Sequence, residues 1–230
     1  MFNDIAAIVP QIIINTVIII ILLTFHEYGH ARIANLFGDR TAEYAGRMTL
    51  NPAAHIDPIG TLILPLFLSL MSGGRASFGW ARPVPVDPRM LKNPKKDMMF
   101  IAGAGPFMNF SVAFLILAIQ RTLDMKTAIP AEILFIVQRA ALISIFLAVF
   151  NLIPLYPLDG YSVVYGLLPN HLAREFAKTE KYGFIILIAV IFLLPWILPI
   201  NPVMSILGML AVKTFNFMDS IISFFLLRIG

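Results

Sequence analysis

Long apolar runs separated by short polar breaks organise this chain. The first run, Pro10 to Phe37, predicts a membrane-crossing helix, since about 20 residues at 1.5 Å each cross a hydrocarbon core roughly 30 Å thick. Gly38 is placed to end it as a C′ glycine. Residues 40–50 (RTAEYAGRMTL) alternate in part, which predicts a short β-hairpin. Ile59 to Met71 is apolar but too short to cross, and Pro65 interrupts it, so a re-entrant or tilted segment is expected. Ser72 to Lys96 is polar, basic and proline-rich, hence a loop with extended pieces. Apolar stretches follow at 98–120, 131–153 and 182–200. A last one, 203–227, is set off only by Pro199 to Pro202, which reads as a tight turn between antiparallel helices.

The expected fold is an all-α polytopic membrane protein. It has about five full transmembrane helices plus the re-entrant segment, six spans at most, and the small hairpin. Residues 1–230 are expected to form a single membrane-embedded domain, with a core at 10–168 and a C-terminal helical pair at 182–228. The spans leave no room for a separate regulatory or peptide-binding domain.

Composition agrees with this picture. Apolar residues make up 59% of the chain and charged residues 13%, with mean hydropathy +0.84. A soluble domain of this size needs a more polar surface. The formal charge of +4 therefore implies no nucleic acid; in a membrane protein, basic residues mostly report orientation. If the first helix runs from outside to inside, the outer loop near 121–130 holds only Arg121 and Lys126. Arg139 and Lys213 fall within spans, and the remaining Lys and Arg lie inside. That asymmetry predicts a cytoplasmic end for helix 1, with the end of the 131–153 span on the same side. With no cysteine, disulfides and thiolate metal sites are excluded. The N-terminal MFND lacks the basic region of a cleavable signal peptide, so the first apolar run is expected to remain as an anchor.

The chemistry concentrates in residues 26–30, HEYGH. His26 and His30 are four apart and share one helical face, so they can grip a single metal ion. Glu27 lies beside that face, where a carboxylate can take a proton from an attacking water. His26 falls ~24 Å from the helix start, still inside the membrane near its second face. Three ionisable groups there are costly and point to function rather than to interfacial histidines.

Two histidines do not complete a catalytic zinc site, which usually has three protein ligands plus water. His171 sits beside the basic cluster and reads as surface. His55, in LNPAAHIDPIG, lies at the start of the re-entrant piece and could reach the site. Asp159, in NLIPLYPLDG, follows a span broken by Pro154 and Pro157, on the face expected for HEYGH. Its competing role is an N-cap for the apolar segment 160–168.

These motifs together resemble the site-2 proteases, the intramembrane zinc metalloproteases of peptidase family M50. HEYGH matches their HExxH helix, and NLIPLYPLDG matches their N-x-x-P-x-x-P-x-D-G signature. NPAAHIDPIGT, FGWARPVPVDP and AGPFMN are similar to segments of the compact prokaryotic branch, which lacks PDZ and CBS domains. The resemblance covers most of the chain, from helix 1 to about residue 165. It implies one Zn2+ held by His26, His30 and Asp159, Glu27 as catalytic base, and supporting roles for Asn151, His55 and Asn109. It also implies single-span transmembrane proteins as substrates, cut in or near the bilayer.

Other readings compete. Asn151 could simply bond a neighbouring helix, His55 could be a satisfied loop histidine, and Asn109 could only fix packing. The glycines of IAGAGPF have no βαβ unit around them and fit close helix packing at Gly103 and Gly105. Lys213 fits a side chain snorkelling to an interface. An edge strand at 40–50, near the active site, could hold an unwound substrate by strand addition. A membrane metal-binding protein or transporter is the non-enzymatic alternative, but it needs no glutamate beside the first histidine.

Overall fold

A computed structural model describes residues 2–71, 79–198 and 200–229. Residues 72–78 of the expected polar loop, including Arg75, and Pro199 of the expected turn lie outside the described residues. The chain divides into two compact units, Met1–Lys92 and Asn93–Gly230.

The first unit is built on α1, Phe2–Leu36. Val9, Ile13, Val17 and Ile21, four apart on one face, are exposed, whereas Ile12, Leu22 and Leu23 are buried. An apolar face left open in this way suits lipid. Helix α1 ends in a Schellman motif: Asp39 N–H donates to Ala34 O at 3.0 Å and Gly38 N–H to Asn35 O at 3.1 Å. Gly38 supplies the required left-handed turn at φ 103°. Buried Asp39 then accepts from the backbone N–H and hydroxyl of Thr41 and, on its other oxygen, from Asp87 N–H at 2.8 Å.

Those Asp39 bonds help explain a correction. The β-hairpin expected at 40–50 is absent, and no strand occurs among the described residues. The segment instead forms one helical turn, α2 (Thr41–Tyr44), with an Arg40–Glu43 ion pair at 2.7 Å and a turn at Gly46, φ 65°. Side-chain bonds to nearby backbone outcompete a ladder that weak alternation cannot secure.

A π-helical turn, Pro58–Ile63, runs into α3, Leu64–Met71. Proline at 65 has no N–H and crowds the carbonyl four residues back, inside the widened turn. Together Pro58–Leu70 form an apolar helix too short to count among the candidate spans. Asp57 caps it by accepting from Ile59 and Gly60 N–H.

The second unit contains α4 (Pro94–Asp124), α5 (Ala131–Asn151), α6 (Asp159–Leu167) and α7 (Asn170–Ala177), then α8 (Glu180–Ile188), α9 (Leu194–Ile197) and α10 (Pro202–Ile229). Its core is where α4, α5 and α10 meet, around Ala113, Leu117, Ala141, Ile145, Ala211 and Ile222. Lipid is as apolar as these side chains, so close approach through alanine matters more here than hydrophobic burial. Ser144 on α5 donates to Asn109 O on α4 at 2.8 Å, a membrane hydrogen bond of about 0.6 kcal/mol. Arg121 on α4 grips both oxygens of Asp219 on α10. Gly103 faces Val163 of α6 at ordinary contact distance, in keeping with a packing role.

The number of spans is also corrected. Among the described residues, four helices are long and apolar enough to cross: Val9–Leu36, Pro94–Asp124, Ala131–Asn151 and Pro202–Leu226. The fifth, expected at 182–200, is broken into α8, a π turn at Ala189–Leu193, and the four-residue α9. Proline 195 removes a backbone donor just beyond that turn, and Leu198 is already extended at φ −114°, ψ 135°.

Candidate active site

Spacing along α1 sets the first part of the site. His26 and His30 are buried, and their rings meet edge-on with centroids 4.7 Å apart. One helical turn between them produces this pairing. Glu27, also buried, has Oε2 held by the backbone N–H of Val84 at 2.8 Å. A hydrogen bond to a carboxylate is worth about 1.5–3 kcal/mol, enough to hold a buried side chain in one orientation.

Val84 belongs to a segment docked by alternate residues. Trp80 N–H donates to Gly60 O at 3.1 Å, Arg82 N–H to His55 O at 2.9 Å, and Val84 N–H to Glu27. A period of two is that of an extended chain. Thr61 Oγ1 donates back to Trp80 O at 2.7 Å. The approach is close: a Cβ on Gly60 would stand 2.2 Å from the Trp80 indole. Pro83 and Pro85 have no N–H, so Val84 offers the only backbone donor among these three residues.

Arg47, likewise buried, fastens the same segment from another side. Its Nη2 donates to Arg82 O, and to Pro83 O at 3.4 Å. Burial and then the neighbouring Arg82 guanidinium lower the pKa of Arg47 from its ordinary value, and Glu27 opposes both. Sequence reasoning missed Arg47 and Val84, counting one as an orientation charge and the other as loop. The alternation of proline around Val84 was the available signal.

His55 is buried with Nε2 at 2.9 Å from Thr49 O. A carbonyl only accepts, so Nε2 carries the proton, and in the neutral ring Nδ1 is an acceptor.

In the second unit, Asp159 is the first residue of α6, half-buried. The N-cap position belongs to Leu158, so the capping role weighed for Asp159 falls to a residue that cannot perform it with its side chain. A carboxylate in the first turn still suits the helix dipole. Gly160 fixes where this turn sits: a Cβ there would stand 2.3 Å from Leu152 O and 2.4 Å from Ile153 O. Backbone cannot yield as a flexible side chain can, so α6 starts hard against the end of α5 only with glycine at 160. Tyr161 anchors the same helix, stacking on Phe176 of α7 at 5.0 Å and donating to Glu180 Oε2 at 3.1 Å. Burial first, then this carboxylate, push its pKa up to about 12. Asn151, the last residue of α5, donates Nδ2 to Leu147 O at 2.9 Å. Asn109 is fully buried on α4.

Histidines 26 and 30 and Glu27 are thus brought together on α1, with His55 tied by its carbonyl to the segment that holds Glu27. Asn151 and Asp159 bracket the link between α5 and α6. His26 and His30 offer two imidazole nitrogens and Asp159 a carboxylate oxygen, donors of the kinds that suit zinc.

Comparison with known proteins gives a consistent result. The description "Peptidase family M50" matches residues 14–194. The chain is 35% identical over 194 residues to "Putative zinc metalloprotease YwhC" of Bacillus subtilis (strain 168), covering 82% of this chain and 83% of that protein. It is 31% identical over 179 residues to "Putative zinc metalloprotease Rip2" of Mycobacterium tuberculosis (strain ATCC 25618 / H37Rv), covering 76% of this chain and 65% of that protein. No solved structure matches.

Proposed function

We propose residue roles and a mechanism for this chain, which belongs to peptidase family M50. It is a multi-pass membrane protein and an intramembrane zinc metalloprotease. In the proposed site, His26, His30 and Asp159 hold one zinc ion and Glu27 is the general base. The observation that carries this reading is a hydrogen-bonded, buried carboxylate beside two paired imidazoles in an apolar helix. The whole chain, with its core at 10–168 and the helical pair at 182–228, acts in this proposal as one protease domain.

Zinc held there would supply Lewis acidity, making water a nucleophile at neutral pH and polarising a carbonyl. Glu27 receives the proton of the attacking water. Its Oε2 is occupied by Val84 N–H, so Oε1 is the oxygen that takes the proton and passes it to the leaving amine. Asn151 keeps one amide hydrogen beyond its bond to Leu147 O and can donate it to the developing oxyanion. His55 could donate there only as imidazolium, so its role in this scheme is to hold the segment that carries Val84. Asn109 supports the site through packing of α4 on α5.

Substrates in this reading are single-span transmembrane proteins, reached from the bilayer and unwound before cleavage, because a helical carbonyl is hydrogen-bonded and hidden. Cleavage of a model transmembrane substrate by purified protein tests the chemistry. Chelator should stop it and stoichiometric zinc restore it; cleavage that continues after metal analysis reads zero would overturn the assignment.

The active site is proposed to face the cytoplasm, on the distribution of Lys and Arg. In this cysteine-free chain, single cysteines replacing Lys95 and Lys178 should label from the cytoplasm, and one replacing Lys126 from the opposite side. Labelling of the 126 and 178 positions from one side would exclude that topology.

A further inference from the structure

We propose that Arg47 is a positioning residue for Glu27, acting through the backbone at 82–84. The inference rests on the reading of Glu27 as base and extends it to a residue that touches neither substrate nor zinc in that scheme. Arg47 is buried, although nothing in its own turn at Gly46 calls for a buried guanidinium. Its Nη2 meets Arg82 O and, at 3.4 Å, Pro83 O, the two carbonyls immediately before Val84 N–H. That N–H is in turn the donor on Glu27 Oε2. The chain of contacts is short and directional: one guanidinium nitrogen, Nη2, holds two successive peptide planes, and the N–H of the second points at the carboxylate. Pro85 restricts Val84 to extended conformations and Pro83 has its own φ fixed, so little else can move when the two carbonyls are held. Reaction geometry is sensitive to this kind of constraint, since misplacement by about 1 Å can cost on the order of 10²-fold in rate.

The device predicts a specific pattern of coupling. Arg47→Met keeps the bulk and removes the donors; Val84→Pro removes the N–H and suits an extended backbone. In purified full-length protein with the model substrate, each should lower kcat on the order of 10²-fold, with KM within about a factor of two and zinc content unchanged. The double variant should be no worse than about threefold below the poorer single variant, because both changes cut one connection. Multiplying losses in the double variant, or wild-type kcat in Arg47→Met, would overturn the proposal. So would loss of zinc in Arg47→Met, which would mark the arginine as merely structural. Glu27→Gln run alongside separates the two levels. If it retains cleavage, the base assignment fails; if it is inactive while Arg47→Met is not, only the role of Arg47 fails.

Discussion

Glu27→Gln should abolish proteolysis while leaving zinc and fold in place. The substitution is nearly isosteric, and a glutamine carbonyl oxygen can still accept the Val84 N–H that now holds Glu27 Oε2 at 2.8 Å. What it loses is basicity. An amide cannot take the proton of the attacking water or return it to the leaving amine, and positioned acid–base groups contribute typically 10²–10⁴-fold, so the loss should lie in that range or exceed it. The amide keeps the size of the side chain and its bond to Val84 N–H, so the variant should not destabilise α1. Zinc should remain stoichiometric, because the proposal assigns Glu27 as base and the ligand nitrogens to His26 and His30. Metal analysis and a cleavage assay on one preparation check both halves. Retained cleavage would sink the mechanism, and lost zinc would move Glu27 into the ligand set.

The legible and illegible parts of this molecule divide along physical lines. Helix α1 and its motif can be read because hydrophobic length, a terminal glycine and an i, i+4 histidine pair are all local signals. The Schellman end at Gly38 needs nothing from the rest of the chain. The 40–50 segment misleads because its alternation is weak, whereas Asp39 bonds two donors of Thr41 and turns the chain into α2. Hydropathy counts residues 182–200 as one span, but it does not see the π turn at Ala189–Leu193 or the extended backbone at Leu198 that cut the α-helical pieces short. Candidate residues can be named from the sequence wherever the chemistry of one side chain carries the signal, as with His26, Glu27, His30 and Asp159. Arg47 and Val84 cannot, because one bonds backbone carbonyls 35 and 36 residues away and the other offers only a backbone N–H. Sequence motifs do not record which peptide group a side chain will meet.

Asp159→Ala should strip zinc from the protein, and with it all cleavage. Two imidazoles leave zinc one protein ligand short of a catalytic site. A structural explanation for Asp159 is weaker than the sequence allowed, since Leu158 and not Asp159 occupies the N-cap of α6. What the fold does at this point is hold the first turn rigidly: Gly160 lies against the carbonyls of Leu152 and Ile153, and Tyr161 is pinned by Phe176 and Glu180. Such fixing suits a carboxylate that must be delivered to one place. Asp159→Asn is the discriminating variant. It preserves shape and hydrogen-bonding capacity, so a first-turn role would survive nearly intact, but a neutral amide oxygen is a far poorer zinc ligand than a carboxylate. Zinc affinity should therefore fall steeply in Asp159→Ala and by a comparable factor in Asp159→Asn, whereas His55→Ala should keep its metal and lose stability at the ring's contact with Thr49 O, its backbone bond to Arg82 being retained. A zinc titration of the three purified variants, read beside their thermal unfolding, distinguishes the cases. Near-normal zinc in Asp159→Asn would return the residue to a structural role, and metal loss confined to His55→Ala would transfer the third ligand to that histidine.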